Sequence, residues 1–219
     1  MKFAVIGCGN IGSRHLAVID NDPRAELVAL CDVEAGKCQC SSKLYGDIPY
    51  FTDYAELLKN IDVDIVNICT PHGLHAGMAV EAARQGVHVL VEKPMALNES
   101  DAQIMIKTAK ENGTRLMVVK QNRYNVPIAL TKHALEEGRL GKIFMCQVDV
   151  LWNRNNDYYS NSNWRGKKNL EGGALYTQVS HFIDLMIWWF GDMAETSAVI
   201  STMNHQIEIE DCGTANLRF

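Results

Sequence analysis

Gly7, Gly9 and Gly12 stand in the pattern G-x-G-x-x-G within the run Gly7-Cys8-Gly9-Asn10-Ile11-Gly12. The run directly follows the apolar stretch Lys2–Ile6 and opens a helical pattern. In that setting the small residues permit a tight turn and bring backbone N–H groups close to a pyrophosphate at the positive end of a helix. Gly7, Gly9, Asn10, Ile11 and Gly12 are therefore the candidate cradle, with an ordinary strand-to-helix turn as the plainer alternative. Asp32 ends the next strand-like run, 20 residues after Gly12. A carboxylate there can accept both hydroxyls of an adenine ribose and would repel a 2′-phosphate. With Val33 rather than Arg beside it, NAD is favoured over NADP; the alternative is that Asp32 caps a helix beginning near Glu34.

Two more clusters close strand-like runs: Thr70-Pro71-His72-x-x-His75 follows 64–69, and Glu92-Lys93-Pro94 follows 87–91. Ligands of open α/β sheets bind beyond the carboxyl ends of the strands. Thr70, Pro71, His72, His75, Glu92 and Lys93 thus join the cofactor-binding candidates, and Pro94 can fix its turn, with a cis bond as one option. A lone Lys at a strand end is otherwise a solvated surface group.

The elements that must position these clusters follow from periodicity. Strands are expected at Lys2–Ile6, Glu26–Cys31, 64–69, 87–91 and 115–119, with helices at 11–20, 54–58, 75–85 and 98–112 between them. The last helix has Asn98 as its N-cap and Glu99 and Asp101 in its first turn. Near-continuous apolar strands alternating with helices predict a doubly wound parallel Rossmann sheet, an α/β unit over residues 1–121. Beyond it the pattern changes to a helix at 127–137, a long strand at 142–151, a polar aromatic loop at 152–170, a helix at 172–190, and strands at 195–203 and 213–219. This predicts a second, α+β domain over 122–219 with a largely antiparallel open sheet. The chain stops inside its last expected strand, so an incomplete sheet is expected.

Bulk properties exclude several function classes. Hydrophobic residues make up 47% of the chain, enough for a buried core. A net charge of -5 with no Lys/Arg-rich block leaves no expectation of nucleic-acid binding. The apolar stretch 182–190 is too short to span a bilayer and contains Asp184, so no membrane association is expected. The first strand begins at once, without a secretory signal pattern, and the seven cysteines are an odd number set mostly in apolar runs. Both point to reduced thiols and a cytoplasmic location. Cys38 and Cys40 lack nearby His or further Cys, so no metal site is expected.

The glycine turn, the T-P-x-x-x-H segment and the E-K-P tripeptide together resemble the Gfo/Idh/MocA oxidoreductases. The resemblance extends through Asn122-Arg123-Tyr124 and Gly172-Gly173-Ala174-Leu175 to His181-Phe182-Ile183-Asp184. It implies a Rossmann domain with a C-terminal open-sheet domain, homo-oligomers formed through that sheet, and catalytic positions at Lys93 and His181. The family often has Asp four residues before the catalytic His, where this chain has Thr177. The segment Leu175-Tyr176-Thr177-Gln178-Val179-Ser180-His181 instead resembles the branch that includes UDP-N-acetylglucosaminuronate 3-dehydrogenases and similar nucleotide-sugar enzymes.

The implied chemistry is oxidation of a sugar or nucleotide-sugar secondary alcohol, with hydride passing to nicotinamide and a protein group taking the hydroxyl proton. An imidazole with a pKa near ~6.5 suits that task, and Lys93 can stabilise a developing alkoxide or, if desolvated, act as the base itself. Asp184, one helical turn on, is a candidate for orienting His181 or for a local cap. Substrate contacts are expected from Arg123, Tyr124, Trp164, Arg165, Thr177 and Gln178, with Trp152, Asn153, Arg154 and Asn163 in the same loop. Arginine forks suit carboxylate or pyrophosphate and aromatic rings suit sugars and bases, although Trp152, Tyr158, Tyr159 and Trp164 could equally pack an interface. Two other functions remain compatible: a glycosidase that uses bound NAD transiently, and a non-catalytic NAD-binding regulator.

Overall fold

A computed structural model describes residues 1–219, which form two compact units, Met1–Val119 and Lys120–Phe219. In the first unit β1 (Lys2–Ile6), β2 (Glu26–Cys31), β3 (Tyr50–Phe51), β4 (Ile65–Ile68), β5 (His88–Val91) and β6 (Leu116–Val118) form one parallel sheet in the order β3-β2-β1-β4-β5-β6. The order reverses between β1 and β4, the switch point where such sheets open a crevice at their carboxyl ends. Helices α1 (Asn10–Asn21), α2 (Ala35–Leu44), α3 (Tyr54–Asn60), α4 (His75–Arg84) and α5 (Glu99–Glu111) connect the strands. Because the sheet is sandwiched, Ala4, Val5, Ile6, Val66 and Ile68 are all buried without polar alternation. The Asn98 carboxamide accepts a hydrogen bond from Asp101 N at 2.8 Å, which starts α5 where the cap pattern predicts.

The expected strands and helices of this unit appear within a few residues of their sequence positions. Two elements appear in addition. The two-residue β3 is too short to show a period. In α2 only Cys38 and Ser42 are buried, so no apolar stripe announces the helix.

The second unit contains α6 (Val126–Glu136), α7 (Asn156–Ser160), α8 (Ala174–Thr177) and α9 (Ser180–Phe190), followed by β7 (Glu195–Ser201) and β8 (Cys212–Arg218). The two strands pair antiparallel, from Glu195 opposite Arg218 to Ser201 opposite Cys212, as the α+β reading requires. Three expectations need correction. Residues 142–151 form no strand: 142–149 are all exposed, and a β-prone run without a partner has no ladder to hold it. The loop 152–170 contains α7, started by the Asn155 side chain accepting from Tyr158 N at 3.1 Å. The helix expected over 172–190 is two helices, because Val179 N reaches back five residues to the Ala174 carbonyl and the chain restarts at Ser180. No helix is long and apolar enough to cross a membrane.

Candidate active site

The glycine turn is built by close approaches that only glycine allows. Gly7 has φ +98°, and a Cβ there would lie 2.6 Å from the Cys69 carbonyl oxygen at the end of β4. A Cβ on Gly12 would lie 1.9 Å from the Gly7 carbonyl oxygen, so α1 packs directly on the turn. Gly9 differs, because a Cβ there would meet nothing within 4 Å. Gly9 is also the N-cap of α1 and offers no side-chain cap, no acidic residue sits in the first turn, and Asn10 and Ile11 are exposed. The first N–H groups of α1 thus face open space with the positive end of the helix behind them, as an anion requires.

Asp32 ties this turn to the end of β2. Its Oδ2 accepts from Cys8 N at 2.8 Å and its Oδ1 from Glu34 N at 2.9 Å. The carboxylate therefore orients the turn itself and does not serve as the N-cap of α2, which is Glu34.

Thr70 and Pro71 leave β4 and enter a 3-10 turn over His72–Leu74. His75 is wholly buried, with Nε2 2.9 Å from the Thr70 carbonyl and Nδ1 2.8 Å from the Pro94 carbonyl. His75 thus lies between the two strand-end turns, and a neutral imidazole there donates to one of the two carbonyls. Burial pushes its pKa down against the pull of the two carbonyls. The Lys93–Pro94 bond is cis. Glu92 is buried, accepts from Lys93 N at 3.1 Å through Oε2 and meets His15 Nε2 at 3.0 Å through Oε1. Burial raises the Glu92 carboxyl, but the His15 contact and the neighbouring Lys93 outweigh it and hold the group below the usual range.

In the second unit His181 lies buried at the start of α9. The segment leading to it is held by Glu210, whose Oε1 accepts from Leu175 N at 3.1 Å and sits where a Gly173 side chain would begin. Arg123 is paired with a carboxylate of its own unit. Its Nε and Nη2 donate to Asp184 at 2.8 and 2.7 Å, which also occupies the carboxylate considered for orienting His181. Tyr124 is 87% exposed. Thr177 is buried and its hydroxyl donates to the Gly173 carbonyl at 2.9 Å. Gln178 bridges inside the unit, accepting from Arg154 Nη2 at 2.8 Å and donating to the Tyr158 hydroxyl at 3.0 Å.

Arg165 and Arg154 both stack on the Tyr158 ring, 4.1 and 4.9 Å from its centroid, and Arg165 also lies 5.4 Å from the ring of Trp164. Neither guanidinium has a carboxylate partner within ion-pair distance. Two cations gathered on one ring without a counter-charge form a place where an anion is stabilised. Sequence reasoning missed His15 and Asn67, which touch only through the fold, and Lys120, whose Nζ lies 3.4 Å from the Ser180 carbonyl. Burial lowers the Lys120 amine. Only the apolar strand ahead of Lys120 hinted at it.

Comparison with known proteins agrees with this geometry. The GFO_IDH_MocA model, an oxidoreductase family with an NAD-binding Rossmann fold, matches residues 1–120. The GFO/IDH/MocA C-terminal domain model matches residues 128–219. The WlbA dehydrogenase from Bordetella pertussis, solved in complex with NADH and UDP-GlcNAcA, is 40% identical with a TM-score of 0.96, over 100% of this chain and 63% of that one. WlbA from Chromobacterium violaceum, in complex with the same two molecules, is 37% identical with a TM-score of 0.96, over 99% of this chain and 63% of its own. D-apiose dehydrogenase from Paraburkholderia graminis is 29% identical over 97% of this chain and 56% of its own length. The chain thus spans between half and two thirds of these relatives.

Proposed function

The chain belongs to the Gfo/Idh/MocA oxidoreductase family, and on that premise we propose that the full-length protein is an NAD-dependent dehydrogenase acting on a nucleotide-linked sugar. The observation that carries this reading is the cradle at α1. It is closed around Gly7 and Gly12, open at Gly9, and tied by a carboxylate that suits an unphosphorylated ribose. NAD, when bound, supplies the hydride acceptor. The chain's own residues hold its pyrophosphate at Asn10 and Ile11 and its ribose at Asp32. Lys93 and His181 carry the proton chemistry at the alcohol oxygen, His181 taking the hydroxyl proton and Lys93 donating a hydrogen bond.

The nucleotide-sugar reading is supported by Arg154 and Arg165, which match a carboxylate or pyrophosphate, and by the likeness to two dehydrogenases solved with UDP-GlcNAcA. Arg165→Ala is expected to raise KM for a UDP-sugar by about 10-fold or more, the worth of one charged hydrogen bond. Steady-state kinetics at saturating NAD checks this, and an unchanged KM removes Arg165 from the site. Exposed Val199 and Ile200 on β7 support association of copies through that sheet. The cysteines, all free, fit the cytoplasm.

The cofactor assignment is tested by titrating NAD and NADP into the protein and into Asp32→Ala. The natural chain is expected to bind NAD more tightly. The substitution is expected to weaken NAD by about 10-fold and to narrow its margin over NADP. Equal binding of both cofactors by the natural chain contradicts the assignment.

A further inference from the structure

Behind Lys93 lies a buried polar chain built by three elements. His15 on α1 meets Glu92 Oε1 through Nε2 at 3.0 Å, and its Nδ1 meets the Asn67 amide nitrogen on β4 at 2.9 Å. Glu92, directly after β5, closes the chain by accepting from Lys93 N at 3.1 Å. Only 12% of the His15 side chain and 9% of Glu92 are exposed, and Asn67 is 2% exposed. If the Asn67 amide donates to Nδ1, that nitrogen carries no proton, and His15 gives its single ring proton to Glu92. The Asn67 Oδ1 is then buried with no hydrogen-bond partner. Turning the amide over places Oδ1 against a protonated Nδ1 and makes His15 an imidazolium paired with Glu92. Each arrangement leaves one amide atom unpaired, so the Asn67–His15–Glu92 contacts persist in either.

We propose that His15 is a positioning residue for Lys93: it holds Glu92 in place, and Glu92 in turn holds the turn that carries Lys93. The inference rests on the dehydrogenase reading for its effect on turnover. The titratable groups around Glu92 are His15 on α1, Cys69 after β4, His75 on α4 and Lys93 beside it. Burial works against the Glu92 charge, but the contacts with His15 and Lys93 outweigh it and hold the carboxyl below its usual range, so a carboxylate stands beside Lys93.

The test uses the full-length protein with His15→Leu and His15→Gln. Leucine removes both hydrogen bonds, whereas glutamine can still donate to Glu92. His15→Leu is expected to lower kcat about 10²-fold, as slight misplacement of a reacting group does, with NAD affinity little changed. His15→Gln is expected to recover most of kcat. Full kcat in His15→Leu, no recovery of kcat in His15→Gln, or parallel loss of NAD binding and kcat in both overturns the proposal.

Failure of the dehydrogenase reading would silence turnover in every variant, so Lys93 is also followed directly. Its titration is read by carbon-13 NMR of reductively methylated lysines, assigned through Lys93→Arg. Without its His15 donor the buried Glu92 takes up a proton, and the Lys93 titration in His15→Leu is expected to move to lower pH. Identical Lys93 titrations in the natural chain and His15→Leu overturn the inference even where no sugar is turned over.

Discussion

Lys93→Ala and His181→Ala, each made in the full-length protein, are expected to lower kcat by about 10²–10⁴-fold while leaving NAD affinity within a few-fold of the natural value. The cradle proposed for the cofactor is the turn at Gly7, Gly9 and Gly12 with Asp32, which neither substitution touches. Lys93 follows Glu92 at the carboxyl end of β5, and His181 opens α9. Each substitution deletes a proton donor or acceptor without disturbing the phosphate site. The measurement is steady-state kinetics together with NAD titration by fluorescence. A fall in NAD affinity matching the fall in kcat would mean that the residues bind and do not react.

The second large effect concerns two glycines that look alike in sequence and differ in space. Gly12→Ala places a methyl 1.9 Å from the Gly7 carbonyl oxygen, which is backbone and cannot swing aside. The strain is expected to cost about 1–3 kcal/mol, a fall in Tm of roughly 2–4 °C for each kcal/mol, and to abolish measurable NAD binding as the turn opens. Gly9→Ala meets nothing within 4 Å, and its φ of -77° is ordinary for alanine. Its Tm is expected to stay unchanged while NAD affinity falls about 10-fold or more, because the methyl occupies space that the pyrophosphate needs. Thermal unfolding and NAD titration on both variants separate the cases. Unimpaired NAD binding by Gly9→Ala contradicts the placement of the phosphate site.

Much of the first unit was readable because its signals are local. Five of its six strands are apolar runs bounded by Gly, Pro or Asp, and the glycine turn, Asp32 and the Asn98 cap lie in short contiguous stretches. What escaped depends on distance along the chain or on partners. The His15–Glu92 contact joins residues 77 apart, and Arg123 finds Asp184 across 61 positions, so no spacing rule announces either. Residues 142–151 show the opposite failure, since a β pattern predicts a strand only where another strand is present to pair with it. His75 was legible as part of a motif, but its role was not, because burial and the two facing carbonyls appear only in the fold.

The most direct test of the central claim is NADH formation by the full-length protein supplied with NAD and a panel of free sugars and UDP-sugars. The expected result is NADH formation that depends on a UDP-sugar carrying an oxidisable secondary alcohol and that needs both Lys93 and His181. NAD binding without NADH from any member of the panel, or NADH formation that survives loss of both residues, would contradict it.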